Sequence, residues 1–232
     1  MKKILFFVVL SVMGFAHQFF PVQENGEYKV VFWADGHWGE YQVQNIFGIV
    51  AKDSAGMNQK VAFDYANNKI IATNPAMLAI HYDFGHYTFL SNGKHYAQRR
   101  DSLTDKEGGN KVTQTRKIYK IGKSIFQWNA NFSKPIGLKL EIVPLQNPLE
   151  LKEGDSLRLQ VFFEGRPAQG LEFEDQIDDI ENLYTDENGI IELKLRKPQD
   201  GLQIFGTSIK IRQLDKFADT LQITSTLSFK TK

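Results

Sequence analysis

The residues of this chain best suited to metal chemistry are its five histidines: His17, His37, His81, His86 and His95. All fall in the first half of the sequence. There is no cysteine, so a metal site must use nitrogen and oxygen ligands, with methionine sulfur as a minor option. His17 follows Gly14-Phe15-Ala16, which reads as a signal-peptidase site. Cleavage after Ala16 would leave a free amine and an imidazole on one residue. Their ordinary pKa values, ~7.7–8.0 and ~6.5, let both shed a proton cheaply near neutral pH. Bound through the amine and Nδ1, they close a six-membered chelate ring that suits nickel(II) or copper(II). The competing reading is that any residue can follow a cleavage site.

His37 lies in Asp35-Gly36-His37-Trp38-Gly39-Glu40, where a strand gives way to a loop. That loop can present an imidazole and the Glu40 carboxylate together, with Trp38 as a wall. A solvated surface turn is the plainer alternative. His81 and His86 sit in Ile80-His81-Tyr82-Asp83-Phe84-Gly85-His86-Tyr87. On a regular strand, residues five apart face opposite ways, but a bulge at Gly85 would change the phase. One or both could then reach a site, and Asp83, sharing a face with His81, could orient it. Otherwise one of them packs against Tyr82, Phe84 and Tyr87. His95 follows Asn92-Gly93 and is expected to be exposed.

Other chemistries find little support. There is no Gly-x-Ser-x-Gly elbow and no glycine-rich phosphate loop. The acidic run Glu172, Glu174, Asp175, Asp178, Asp179, Glu181 lacks EF-hand spacing and reads as a solvated edge loop. The formal net charge is +1, and without Lys2 and Lys3 the remaining chain holds 26 basic and 27 acidic residues. No field of that size attracts nucleic acid or an anionic membrane.

Residues 1–16 have the pattern of a cleaved signal peptide: Lys2-Lys3, the apolar run Ile4 to Met13, then small residues. Export to the periplasm follows, with no insertion in the membrane after cleavage. Beyond it, strand signals dominate. Tyr28 to Trp33, Asn45 to Ala51, Met77 to Tyr82, Tyr87 to Leu90 and Val112 to Ile121 are short β-branched and aromatic runs. Asn25-Gly26, Asn67-Asn68 and Asn92-Gly93 read as tight turns, since Asn and Gly tolerate positive φ. Arg99 to Gln114 reads as a long polar loop. The alternation restarts after Ser133-Lys134-Pro135 and continues through Leu157 to Phe163, Ile190 to Leu195, Leu202 to Ile211 and Thr220 to Phe229. The expected fold is all-β: a β-sandwich over 17–134 carrying the metal site, and an immunoglobulin-like β-sandwich over 135–232.

The sequence resembles the periplasmic component family of nickel and cobalt uptake transporters, itself long carried as a domain of unknown function. The matching features are Ala16-His17 followed by Phe19-Phe20-Pro21, then Gly36-His37-Trp38-Gly39-Glu40, then Gly85-His86-Tyr87 where the family has a Gly-Tyr-Trp-like stretch. In the second half they are Leu140 to Pro144 with Asn147-Pro148, Gly154-Asp155, Phe163 to Pro167 and Thr185 to Gly189. The resemblance implies a protein without catalysis that captures nickel or cobalt and passes it to a membrane importer. The candidate ligands are His17, His37, His86 or His81, and Glu40. Two other functions remain open from the residues. One is a copper protein or oxidase-type enzyme built on an N-terminal histidine brace, similar to lytic polysaccharide monooxygenases. The other is an envelope interaction module whose histidines are incidental.

Overall fold

The computed structural model describes residues 18–34, 37–103, 111–177, 179–196, 201–213 and 216–231. The expected leader at 1–16 and His17 lie outside them. The strands are β1 (Gln18–Glu24), β2 (Glu27–Ala34), β3 (His37–Trp38), β4 (Ile46–Lys52), β5 (Val61–Asp64), β6 (Lys69–Ala72), β7 (Met77–Leu90), β8 (His95–Tyr96) and β9 (Val112–Ile125) in the first half. In the second half they are β10 (Leu140–Pro144), β11 (Ser156–Phe163), β12 (Arg166–Pro167), β13 (Glu172–Asp175), β14 (Asp179–Tyr184), β15 (Ile190–Lys194), β16 (Leu202–Arg212) and β17 (Thr220–Lys230). The all-β sandwich expected from the strand signals is what the chain forms.

The strands make three sheets that pack as layers. The middle sheet has eight strands in the order β14-β13-β16-β17-β9-β7-β4, with β8 on β7. One outer sheet has five strands, β1-β2-β6-β5 with β3 on β2; the other has four, β10-β11-β12 with β15 on β11. The period of two along β7 shows how the layers meet. Leu78, Ile80 and Tyr82 enter a core with Phe19, Val30 and Phe32 of the five-stranded sheet. Met77 and Ala79 enter the opposite core with Leu140, Leu157 and Leu159 of the four-stranded sheet.

The middle sheet crosses the boundary expected at Ser133-Lys134-Pro135. β9 and β17 pair in parallel from Thr220↔Arg116 to Phe229↔Ile125, so strands from both halves share one sheet. Each half does have its own outer sheet, as two sandwiches would, but the layer between them is common. The two strand runs expected at Met77 to Tyr82 and Tyr87 to Leu90 are one strand, β7. It passes through Asp83-Phe84-Gly85 by a register shift against β9, with Gly85 at φ +92°.

The sequence places an ion pair inside this stack. Lys123 faces the four-stranded sheet and donates to Glu141 Oε1 at 2.8 Å; the side chains are 3 % and 0 % exposed. Burial pulls the Lys123 ammonium below its usual pKa, and the Glu141 charge opposes that shift. The Glu141 carboxylate also accepts the backbone N–H groups of Ile136, Gly137 and Leu138. It therefore fastens the segment that leaves β9 to the sheet that follows it.

Candidate functional site at the start of β1

β1 is placed by its turn and by two glycines. Asn25 and Gly26 both have positive φ, +50° and +79°, and close a two-residue hairpin with Glu24 opposite Glu27. The hairpin then lies edge-on against the middle sheet. Gly122 of β9 lets it approach: a Cβ there would stand 2.7 Å from Phe20 Cα and 2.8 Å from the Phe19 carbonyl carbon. Ser124 Oγ donates to Pro21 O at 2.6 Å beside it.

At the head of β1, Gln18 is 1 % exposed. Its amide Nε2 donates to Glu174 Oε1 at 2.5 Å, and its Oε1 accepts from Thr226 Oγ1 at 2.8 Å. The carboxylate belongs to β13, 156 residues further along the chain. Gly206, opposite Glu174 on β16, leaves the room these two side chains occupy. Close by, Lys120 is buried with its ammonium over the rings of Phe84 at 4.7 Å and Phe32 at 5.9 Å. Burial pushes its pKa down to about 8, against the pull of the Glu174 charge. Sequence inspection missed this polar set, because its members come from β1, β9, β13 and β17.

His37 sits on β3, exposed, opposite Ala34 of β2; Trp38 is opposite Trp33. Gln18 is opposite the same Trp33 on the other edge of β2. His37 thus borders the head of β1 across one strand. Glu40 follows just after Gly39, whose N–H donates to Phe32 O at 2.8 Å, and is also exposed. Trp38 packs edge-to-face on Trp33 at 4.7 Å and remains 55 % exposed.

His81 and His86 are elsewhere. The bulge does bring them to one face, since they pair with Ile121 and Lys117 of β9, four residues apart. That face is turned away from β1: Ile121 belongs to the core shared with the four-stranded sheet. His81 packs on Phe47 at 5.7 Å and over Gly48, and burial lowers its pKa. The aromatic neighbour expected for it was the Tyr82, Phe84 and Tyr87 group, which lies on the other face. Asp83 does not orient His81. Its carboxylate takes Lys117 Nζ at 2.6 and 2.8 Å and the Gly85 N–H at 2.9 Å. His95 is exposed on β8 as expected.

The acidic run is not a solvated loop. Glu174 and Asp175 are buried in β13, and Glu172 and Asp175 bond Tyr184 Oη (2.7 Å) and Arg196 Nε (2.5 Å). Among the described residues, no three His, Asp or Glu side chains gather as a metal cluster. No helix among them is long and apolar enough to cross a membrane.

The fold and this site define an all-β sandwich protein whose N-terminal strand is anchored by buried polar groups. The family described as Domain of unknown function (DUF4198) matches residues 9–210, and the chain belongs to it. No curated protein and no solved structure matches the chain.

Proposed function

We propose that this protein is a periplasmic, non-catalytic metal-binding accessory that captures nickel or cobalt and hands it to a membrane importer. His17, freed at its amine by cleavage after Ala16, is the primary ligand in this reading. His37 is the second, and Glu40 an oxygen donor beside it. The supporting observation is the β1–β2–β3 register. Gln18 and Trp38 flank Trp33 on opposite edges of β2, so their Cα atoms are about 9–10 Å apart at the usual strand spacing. His17 is one peptide link from the first and His37 one link from the second. Two imidazoles tethered that close can share one ion.

The anchoring of Gln18 matters to the same proposal. A ligand on a frayed terminus loses conformational entropy when it binds, whereas a residue next to a fixed neighbour loses less. Nitrogen and oxygen donors at a sheet edge also suit a cargo that must be released, because the coordination shell stays accessible. His81 and His86, on the far face, have no part in this site. The chemistry at the head of β1 extends to copper, and the importer is the partner that the resemblance implies.

The test is calorimetric titration of Ni²⁺, Co²⁺ and Cu²⁺ into the chain beginning at His17. The comparison is the same chain with one alanine before His17, which removes only the free amine. We expect tight nickel or cobalt binding that the added residue weakens at least tenfold and that His37→Ala also weakens. Equal binding by the two forms would overturn the reading, and a preference for copper alone would replace the nickel and cobalt assignment.

A further inference from the structure

The outer face of the β1–β2–β3 ribbon and the stretch of middle sheet it leaves uncovered form two walls of a cleft. The cleft has a volume of about 900 Å³. That lies within the range of sites that enclose small organic ligands, ~300–1,000 Å³. Trp33 and Trp38 form one wall, and Ile177 and Ile204 the other. Two of the most exposed large apolar side chains of the molecule, Trp38 at 55 % and Ile177 at 58 %, are thereby on the same cavity.

The polar groups of the floor are already satisfied. Ser124 and Ser228 hydroxyls share a hydrogen bond of 2.7 Å, Ser124 also serves Pro21 O, and Gln176 Oε1 accepts from the Ile204 N–H at 3.1 Å. A ligand here would gain little from new hydrogen bonds to the floor and much from covering aromatic and aliphatic surface. The Trp33–Trp38 pair, at 73° between planes, offers an indole face and an edge at one end. Of the two lysines that line the cleft, Lys29 is tied to Glu24. Lys230, exposed at the end of β17, makes no ion pair among the described residues. Trp33 is paired with Gln18 and Lys29 with Val22. The cleft therefore runs along β1 for about 13 Å between those positions, at ~3.3 Å per residue.

We propose that this cleft binds a small amphiphilic monoanion, an elongated or ring-bearing carboxylate. Its apolar body lies against Trp38 and Ile177, and its charge lies at Lys230. The site is separate from the metal reading, since none of its recognition surface includes His17, His37 or Glu40.

The experiment uses metal-free protein and two probes of equal chain length, decanoate and decanol, followed by intrinsic tryptophan fluorescence and by calorimetry. Decanoate should bind with one-site stoichiometry and perturb the tryptophan emission. Trp38→Ala should weaken it on the order of tenfold through lost aromatic contact. Lys230→Gln should weaken it by about threefold, an effect that added salt erases in the unaltered protein. Ile177→Asp, an exposed position that tolerates a charge without unfolding, should abolish it, with the thermal melt unchanged. Decanol binding as tight as decanoate would remove the anionic part of the assignment. No saturable binding of either, or binding indifferent to Trp38→Ala and Ile177→Asp, would overturn the site. Because metal is absent throughout, that failure leaves the metal reading untouched.

Discussion

Substituting Gly122 by alanine tests the seating of β1 directly. Gly122 does not have positive φ, so alanine fits its backbone; the obstacle is space. The new methyl would lie 2.7 Å from Phe20 Cα and 2.8 Å from Phe19 C, where ordinary contact begins at 3.4 Å. All these neighbours are backbone, so no side chain can swing aside. β1 must retreat by roughly 0.7 Å or more, the gap between those contacts and a relaxed one. Overpacking of this kind costs about 1–3 kcal/mol. The retreat also stretches the Ser124–Pro21 bond and the Gln18 bonds to Glu174 and Thr226, each worth about 1 kcal/mol net. The sum is about 3–5 kcal/mol, or a fall in Tm on the order of 10 °C for a chain of this size. Urea denaturation followed by tryptophan fluorescence measures it. Gly48→Ala is the control, because its Cβ would meet only the His81 ring edge at 3.1 Å, a side chain that can yield. It should cost less than about 1 kcal/mol. If Gly122→Ala lies within about 0.5 kcal/mol of the unaltered protein, then β1 is not seated on β9 as described. The support that its anchoring lends to the metal site would go with it.

Two further outcomes follow from the buried charges. Glu141→Gln should destabilise by about 3–5 kcal/mol, because it leaves Lys123 charged in the core without its partner; chemical denaturation measures this. The double change Glu141→Leu with Lys123→Met should cost clearly less, since no charge then remains buried. The Lys120 pKa is near 8 folded, against an ordinary 10.5, so the unfolded chain holds more protons between those values. Stability supplied by this residue must therefore rise with pH from about 8 to 10.5, and the penalty for burying its charge is fully present below 8. Measured as the unaltered protein minus Lys120→Met, which cancels the tyrosines, the difference should grow by on the order of 3 kcal/mol over that window. A flat difference would show that Lys120 stays charged throughout.

Much of the fold was legible in the residues. The alternation of Tyr28, Val30, Phe32 and Ala34 set β2 with one apolar face, and Asn25-Gly26 set the hairpin before it. The long strands at 202–212 and 220–230 were equally plain. Each rests on forces between near neighbours: a period of two, and a positive φ that only a few residues accept. The bulge at Gly85 was legible for the same reason. The pairing of β9 with β17 was not. Periodicity reports which face of a strand is apolar but says nothing of which distant strand will lie beside it. β9 itself misleads, because Lys120 and Lys123 make it read as half solvated, whereas layers on both sides bury it. So too with the candidate site. Sequence could nominate His17, His37, His81, His86 and Glu40 by type, yet their faces were decided by strand order. That order put His37 near the head of β1 and His81 and His86 on the opposite face. The Gln18–Glu174–Thr226 anchor joins residues far apart in the chain. It exists only because Gly122 and Gly206 leave space that no local pattern announces. Tertiary packing decided it, as it decides any contact whose energy depends on shape at a point where remote segments meet.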